Sequence, residues 1–452
     1  MKLSSTGENI SEMPARDKEN AASAATGEHA DNSKAIFCVY TLVVLYALCY
    51  QLQSPIEPFL VDKLMNSTGS DSSVVYARVK SLFSITQGFG SLAFGWLLDK
   101  YGVRIGLLLN FSACAACYYT LSITDSVEML YLSKLPGIAM SGFLCAQTAI
   151  IKLTPPGEGR LKALGRLTTS YTIGGVVGPF LGGQLGASGD YYVGARMATY
   201  GSLICVLLSF FLPSKMDTRK PVEPAKANEK NDTESSTTWT ERTRTILSLA
   251  WLFLFTKLVT SIANSMARSV QPIVLKNLGV DEATMGTIMG AQFGFGGVAN
   301  AVLLAPVTRA LGGHLSAVVR NCVVVMAFVY IVQALLYSEY TSVLPENGWG
   351  RQVPFLFNMM LLSIFQFSLG TTITAETSNI IPRKMQGTLM GMEHSLFAVA
   401  YMIGPNVGVH VLNHGSISGL SLACSCIFFV VLTVWLRFAR VEVKSTLKEK
   451  GE

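Results

Sequence analysis

Charge is scarce in this chain. Aspartate, glutamate, lysine and arginine make up 14% of its 452 residues, against about a quarter in ordinary water-soluble domains. Half of the residues are hydrophobic and the mean hydropathy is +0.41, which excludes a soluble protein of this size. Signatures of catalysis are scarce too. No G-x-x-x-x-G-K-[ST] loop is present to cradle nucleotide phosphates, so ATP hydrolysis is not the expected energy source. The five histidines are scattered, with no metal-ligand spacing. All nine cysteines fall in apolar segments, and Cys114-Ala-Ala-Cys117, redox-like in spacing, reads as helix packing. No Ser/His/Asp arrangement and no nucleic-acid patch stand out. The expectation is a protein that is not an enzyme and holds no cofactor or metal.

What the chain has is apolar length. Stretches long enough to cross about 30 Å of hydrocarbon recur near 35–60, 76–98, 104–124, 128–152, 161–186 and 192–213, then near 246–278, 284–308, 316–338, 354–380, 387–412 and 416–438. The expected fold is an all-α membrane protein with twelve transmembrane helices in two bundles of six, 35–213 and 246–438. Residues 1–34 are polar and read as a disordered tail, and 439–452 as a second tail. The segment 214–245, charged and rich in Pro and Ser, reads as a linker. Lysine and arginine set the orientation. With a cytoplasmic N-terminus, 26 of the 35 fall on the cytoplasmic side, so both tails and the linker are expected there. Asn66-Ser67-Thr68 is then a glycosylation sequon in the first external loop.

The two bundles echo each other. Gly165 precedes Gly178-Pro179 by thirteen residues and Gly182 follows four after Gly178; Gly391, Gly404-Pro405 and Gly408 repeat the spacing. "EPFLVDKL" at 57–64 parallels "QPIVLKNL" at 271–278. Two six-helix halves with both ends on one side form a parallel repeat, the plan of a secondary transporter with a site between halves.

Two motifs then carry a resemblance. "GWLLDKYGVR" at 95–104 resembles the loop signature G-x-x-x-D-[RK]-x-G-x-[RK] of the major facilitator superfamily. "GGVVGPFLGG" at 174–183 resembles that superfamily's helix 5 antiporter signature. With "SKLPGIAM" and "ALGRL", the chain is similar to the organic-cation-transporter-like branch, beside bacterial tetracycline and multidrug proton antiporters. The resemblance implies that Asp99, helped by Gly95, Lys100, Gly102 and Arg104, latches helix 2 to the start of helix 11 at 386–388. In the second half, Arg309 stands where that aspartate would be, so any latch is one-sided. Gly174, Gly178 and Gly182 share a face of helix 5, Gly175 and Gly183 widen it and Pro179 bends it. Gly286, Gly290, Gly294 and Gly297 give helix 8 a matching face, and the expectation is that these faces slide together. Plain close packing is the competing explanation.

Ionisable residues in spanning helices are functional candidates by default. Glu57 in helix 1 and Lys134 in helix 4 are expected to pair. Lys257 in helix 7 and Glu376 in helix 10 are expected to supply the other half's base and acid. Arg268 is an alternative partner for Glu57 across the halves, and Glu393-His394 another proton acceptor. Lys134 stands where the superfamily's helix 4 signature has arginine, whose planar fork lysine lacks. Tyr40, Tyr171, Phe293, Phe365, Met359 and Tyr401 are candidates to cradle a solute, with core packing as the plainer explanation. The leading expectation is a monomeric proton-coupled antiporter of organic cations or lipophilic drug-like solutes, in the plasma membrane or an endomembrane. A uniporter or proton symporter of a metabolite and a non-transporting scaffold remain alternatives.

Overall fold

Proline or glycine stands at several of this chain's helix breaks, while Pro179, Pro272, Pro306, Pro354 and Pro405 lie within helices. The computed structural model describes residues 15–66, 70–154, 158–212, 239–312, 314–338, 348–381 and 385–449. Helix α1 (Ala15–Leu52) gives way at Pro55 to α2 (Glu57–Met65). α3 (Ser70–Tyr101) and α4 (Val103–Ser122) are separated by Gly102, whose φ of +87° glycine adopts without strain. The expected fourth helix is in pieces: α5 (Val127–Leu132), a 3₁₀ turn at Leu135–Ala139 containing Pro136 and Gly137, and α6 (Gly142–Leu153). α7 (Glu158–Gly186) and α8 (Val193–Phe210) complete the first half. The second half holds α9 (Trp239–Asn277), α10 (Glu282–Ala310), α11 (Leu315–Leu336), α12 (Gly348–Ile380) and α13 (Gln386–Glu449). Ser416, at φ +55°, kinks α13 into two helices.

Three boundaries differ from the sequence expectation, the first being that α13 runs on to Glu449, through most of the expected second tail. Residues 15–34 are helical rather than a disordered tail; their alanines, glutamates and lysines are good helix formers. α9 begins at Trp239, so the last residues of the expected linker are helix, while 213–238 lie outside the described residues.

The architecture is an all-α membrane protein. Among the described residues, nine segments are long and apolar enough to cross a bilayer, and one of them, Met392–Phe438, is 47 residues long and contains the Ser416 kink. Large apolar side chains stay exposed around the perimeter, among them Phe211 at 80% and Phe37 at 71%. In water such a surface would aggregate; against lipid tails it is matched to its solvent.

A first core lies within the first half, around Leu42, Phe111 and Ile150. A second fills the other half and is continuous with Leu60, Val61 and Tyr76 of the first, which pack with Val270 and Ile273. The halves are thus fused by apolar packing at the bundle end remote from the chain termini.

Candidate functional site

In the first half the charge is gathered by the two helix breaks. The α1–α2 break places Glu57 at the start of α2, where it is 2% exposed. The 3₁₀ turn brings Lys134 in from the fourth span, its Nζ 2.7 Å from Glu57 Oε1. Lys80 of α3 reaches Oε2 of the same carboxylate at 2.5 Å. A lone buried carboxylate would be costly in apolar surroundings; two ammonium groups close around this one, leaving one positive charge in excess. The expected Glu57–Lys134 pair is therefore present, and Lys80 is the member that sequence reasoning missed. It lies early in α3, where a lysine reads as an ordinary loop-side charge.

The second half is wired differently. Lys257 of α9 pairs with Glu393 of α13, not with Glu376. Thr374 Oγ1 accepts from Lys257 Nζ at 2.9 Å and donates to Glu393 Oε2 at 2.9 Å, while Thr377 Oγ1 donates to Oε1 at 2.8 Å. The carboxylate is 5% exposed and its partner ammonium 17%. Glu376 stands between the two threonines in sequence but roughly 100° or more round the helix from each. It is half-buried and makes no ion pair among the described residues. His394, next to Glu393, is exposed.

Arg268 does not cross to Glu57. Its guanidinium lies over the Phe293 ring at 5.0 Å, and Nη2 is buried without a hydrogen-bond partner. It lines a cavity of about 40 Å³ inside the second half, with Gln271, Gln292, Gln333 and Met359. Gln271 occupies the repeat position of Glu57 and donates to Gln292 Oε1 at 2.8 Å.

The halves meet at the end remote from the termini. Lys276 of α9 forms an ion pair with Asp62 of α2. Tyr191 donates to Glu282 at 3.1 Å, and Asn406 of α13 donates to Ser81 of α3 at 2.9 Å.

This plan of paired bundles has relatives. A model of the Major Facilitator Superfamily matches residues 39–345. The chain belongs to that superfamily. Its members are membrane transporters rather than enzymes, and secondary transport is the activity this membership supports. Solute carrier family 22 member 18 of Mus musculus is 27% identical over 82% of this chain and 88% of its own length. The efflux pump PmrA of Streptococcus pneumoniae is 24% identical over 88% of this chain and 92% of its own. Human solute carrier family 67 member A1 is 33% identical, but the match spans 39% of this chain and 42% of that protein. Among solved structures, the human organic anion transporter MFSD10 (TETRAN) superposes with a TM-score of 0.61 over 89% of this chain and 99% of that one, at 17% identity. That likeness shows the fold alone.

The superfamily's helix 5 glycines do two jobs, and the expectation had merged them. A side-chain carbon on Gly182 would lie 1.8 Å from the Leu52 carbonyl oxygen, on Gly178 2.7 Å from that of Leu48, and on Gly174 2.4 Å from that of Val44. That face packs on α1 within the same half, so it does not slide against helix 8. Gly404 and Gly408 repeat the arrangement, meeting Ser265 and Met266 of α9. The face that does cross the halves is formed by Gly175 and Gly183. A carbon on Gly183 would lie 2.7 Å from Gly286 Cα of α10, one on Gly286 2.3 Å from the Pro179 carbonyl, and one on Gly175 3.0 Å from the Phe293 ring.

The expected latch is mostly outside what is described: the surroundings of Gly95, of the Asp99 and Lys100 side chains, and of 386–388 are not among the described features. Arg104 is described, and its Nη2 donates to the Phe210 carbonyl at the end of α8 at 2.7 Å, where the negative pole of the helix favours a cation. Asn66 ends α2 in a left-handed conformation, exposed, at the end remote from the termini. Of the aromatic candidates, Tyr40 donates to the Ala163 carbonyl at 3.0 Å, Tyr401 packs against Phe397 with ring centres 4.3 Å apart, and Tyr171 meets Phe143 edge-on. Phe365 packs against the second-half core.

Proposed function

We propose that the chain is a proton-coupled secondary transporter of organic solutes, working by alternating access, with Glu393 as the proton-accepting group. The observation that carries this is the closed network of Lys257, Glu393, Thr374 and Thr377. It joins three helices of one half around a single carboxylate that is buried yet adjacent to an exposed histidine. In the paired state Glu393 is an anion and Lys257 a cation. A proton arriving at Glu393 removes the attraction and leaves Lys257 held by the Thr374 hydroxyl alone, which frees α9 and α13 to shift against each other. At the remote end, the Asp62–Lys276 pair closes the path in this conformation and must open for the other. Both tails and the linker face the cytoplasm in this reading, supported by the lysine and arginine bias.

Exchange of organic cations, the expectation from the resemblance, needs a carboxylate free to meet a cation. Glu57 and Glu393 are already neutralised by lysine, so Glu376 is the residue that favours this second reading. The names of the efflux-pump relatives favour export of drug-like solutes.

The test is proton movement in proteoliposomes carrying a pH-sensitive dye, while a panel of organic acids, bases and neutral solutes is added. Solute-driven proton flux is expected, and Glu393→Gln should abolish it while leaving any downhill solute movement. Solute movement that ignores the pH gradient in the unmodified protein would replace this reading with a facilitator.

A further inference from the structure

Arg268 is a half-buried cation with no ion pair among the described residues. Lys80 and Lys134 share Glu57, Lys257 has Glu393 and Lys276 has Asp62. No carboxylate approaches Arg268 among the described residues, and its Nη2 is shielded from solvent with its hydrogens unused. A guanidinium in that condition is costly unless something completes it. Phe293 covers one face of the group at 5.0 Å, which fixes the plane and leaves the N–H edge as the part that can still bind. That edge points to oxyanions with two coplanar oxygens.

The surroundings narrow the class. Arg268 shares its cavity with the amides of Gln271, Gln292 and Gln333. The Gln333 amide also keeps an unused buried polar atom and can turn either oxygen or nitrogen inward. Phe355, Met359, Leu362 and Leu420 add apolar side chains to the lining, alongside the polar Asn264, Gln366 and Ser421. A volume of about 40 Å³ holds a few waters or an acid group, not a whole solute, whose pocket needs several hundred Å³. The cavity lies within the second half, between α9, α10, α11, α12 and α13, rather than between the halves.

We propose that the Arg268 cavity is the acid-binding subsite for an organic carboxylate with an apolar body. The carboxylate takes the guanidinium edge and fills the cavity, with Phe355, Met359 and Leu362 against the carbons next to it, while the rest of the apolar body extends beyond the cavity. This rests on the reading of the chain as a transporter of organic solutes and names the class.

Three probes with one body and different charge test it: 4-phenylbutyrate, 4-phenylbutyramide and 4-phenylbutylamine, titrated calorimetrically into the full chain in detergent. Phenylbutyrate should bind at least about tenfold more tightly than the amide, with the amine weakest, as expected for charge-assisted bidentate bonds. Arg268→Gln should erase the difference and Arg268→Lys should keep part of it. Equal binding of the three probes, tighter binding of the amine, no binding of phenylbutyrate, or unchanged selectivity in Arg268→Gln would overturn the proposal. Should Arg268→Gln fail to stay monodisperse, the unmodified protein decides. Phenylbutyrate should slow phenylglyoxal modification of Arg268, read by mass spectrometry, and the amide should not; absence of protection overturns the proposal. Acid selectivity without coupled proton flux would sink only the coupling role of Glu393. Coupled flux without acid selectivity would sink only the Arg268 subsite.

Discussion

The two halves share a backbone plan and differ in where they place charge. At one repeat position the first half has Glu57, locked between Lys80 and Lys134; the second has Gln271, bonded to Gln292. The first half therefore carries a saturated ionic cluster, while the second has a neutral amide pair there and keeps its charges on other turns, as the Lys257–Glu393 network and Arg268. A saturated cluster holds helices together. A single carboxylate with one lysine and two hydroxyls, or a guanidinium with a free edge, can exchange partners. In the proposed mechanism the first half is scaffold and the second half carries the chemistry.

The largest effect is expected from Glu57→Ala, which leaves the buried Lys134 ammonium facing the partly exposed one of Lys80. A loss of about 3–5 kcal/mol is expected, seen as a large drop in the thermal unfolding midpoint in detergent. Neutralising Lys80 and Lys134 in the same chain should recover much of it. Full activity with unaltered stability in Glu57→Ala would end the scaffold assignment.

The glycine faces should give the next largest effect. Gly182 and its repeat counterpart Gly408 both press on a carbonyl of the first helix of their half, at 1.8 Å and 2.7 Å for an added carbon. Gly182→Ala should cost about 2–3 kcal/mol and Gly408→Ala about 1 kcal/mol. Gly370→Ala, where nothing lies within 4 Å, should be neutral or slightly stabilising. Equal costs at 182 and 408 would mean the first half is no more rigid than the second.

The smallest effect is expected where the halves touch. Asp62→Asn removes one charge of the partly exposed Asp62–Lys276 pair and should loosen the remote end by about 1 kcal/mol. Hydrogen exchange at 57–65 and 271–278 should quicken several-fold, and exchanging the two residues should restore it. Faster exchange at the other end instead would displace the gate.

Much of this was legible in the sequence, for reasons that particular residues show. Apolar length and the Gly-Pro spacing revealed the paired bundles, because bilayer thickness and close helix contact constrain sequence directly. Glu57 with Lys134 was readable because helices 1 and 4 of each half line the central cavity in the superfamily. The partner of Lys257 was not. Depth along a helix follows from residue number, but which acid faces inward depends on rotation. Thr374 and Thr377, three apart, were the signal that the other side of that helix faces Lys257. Lys80 was hidden by position, and although Pro136-Gly137 marks a break, the direction in which that break turns Lys134 depends on tertiary packing. The single glycine stripe imagined for helix 5 is two stripes, since five glycines in ten residues surround more than one face.

The Asp62–Lys276 bond has a consequence for the symmetry of the repeat. The two residues hold the same place in the repeated stretches "EPFLVDKL" and "QPIVLKNL". In a symmetric pair of identical units, a residue on the two-fold axis meets only its own copy, so two aspartates would repel and two lysines would repel. Two identical six-helix units could not make this bond, so the ion pair at the remote end depends on the two repeats having different residues at one shared position.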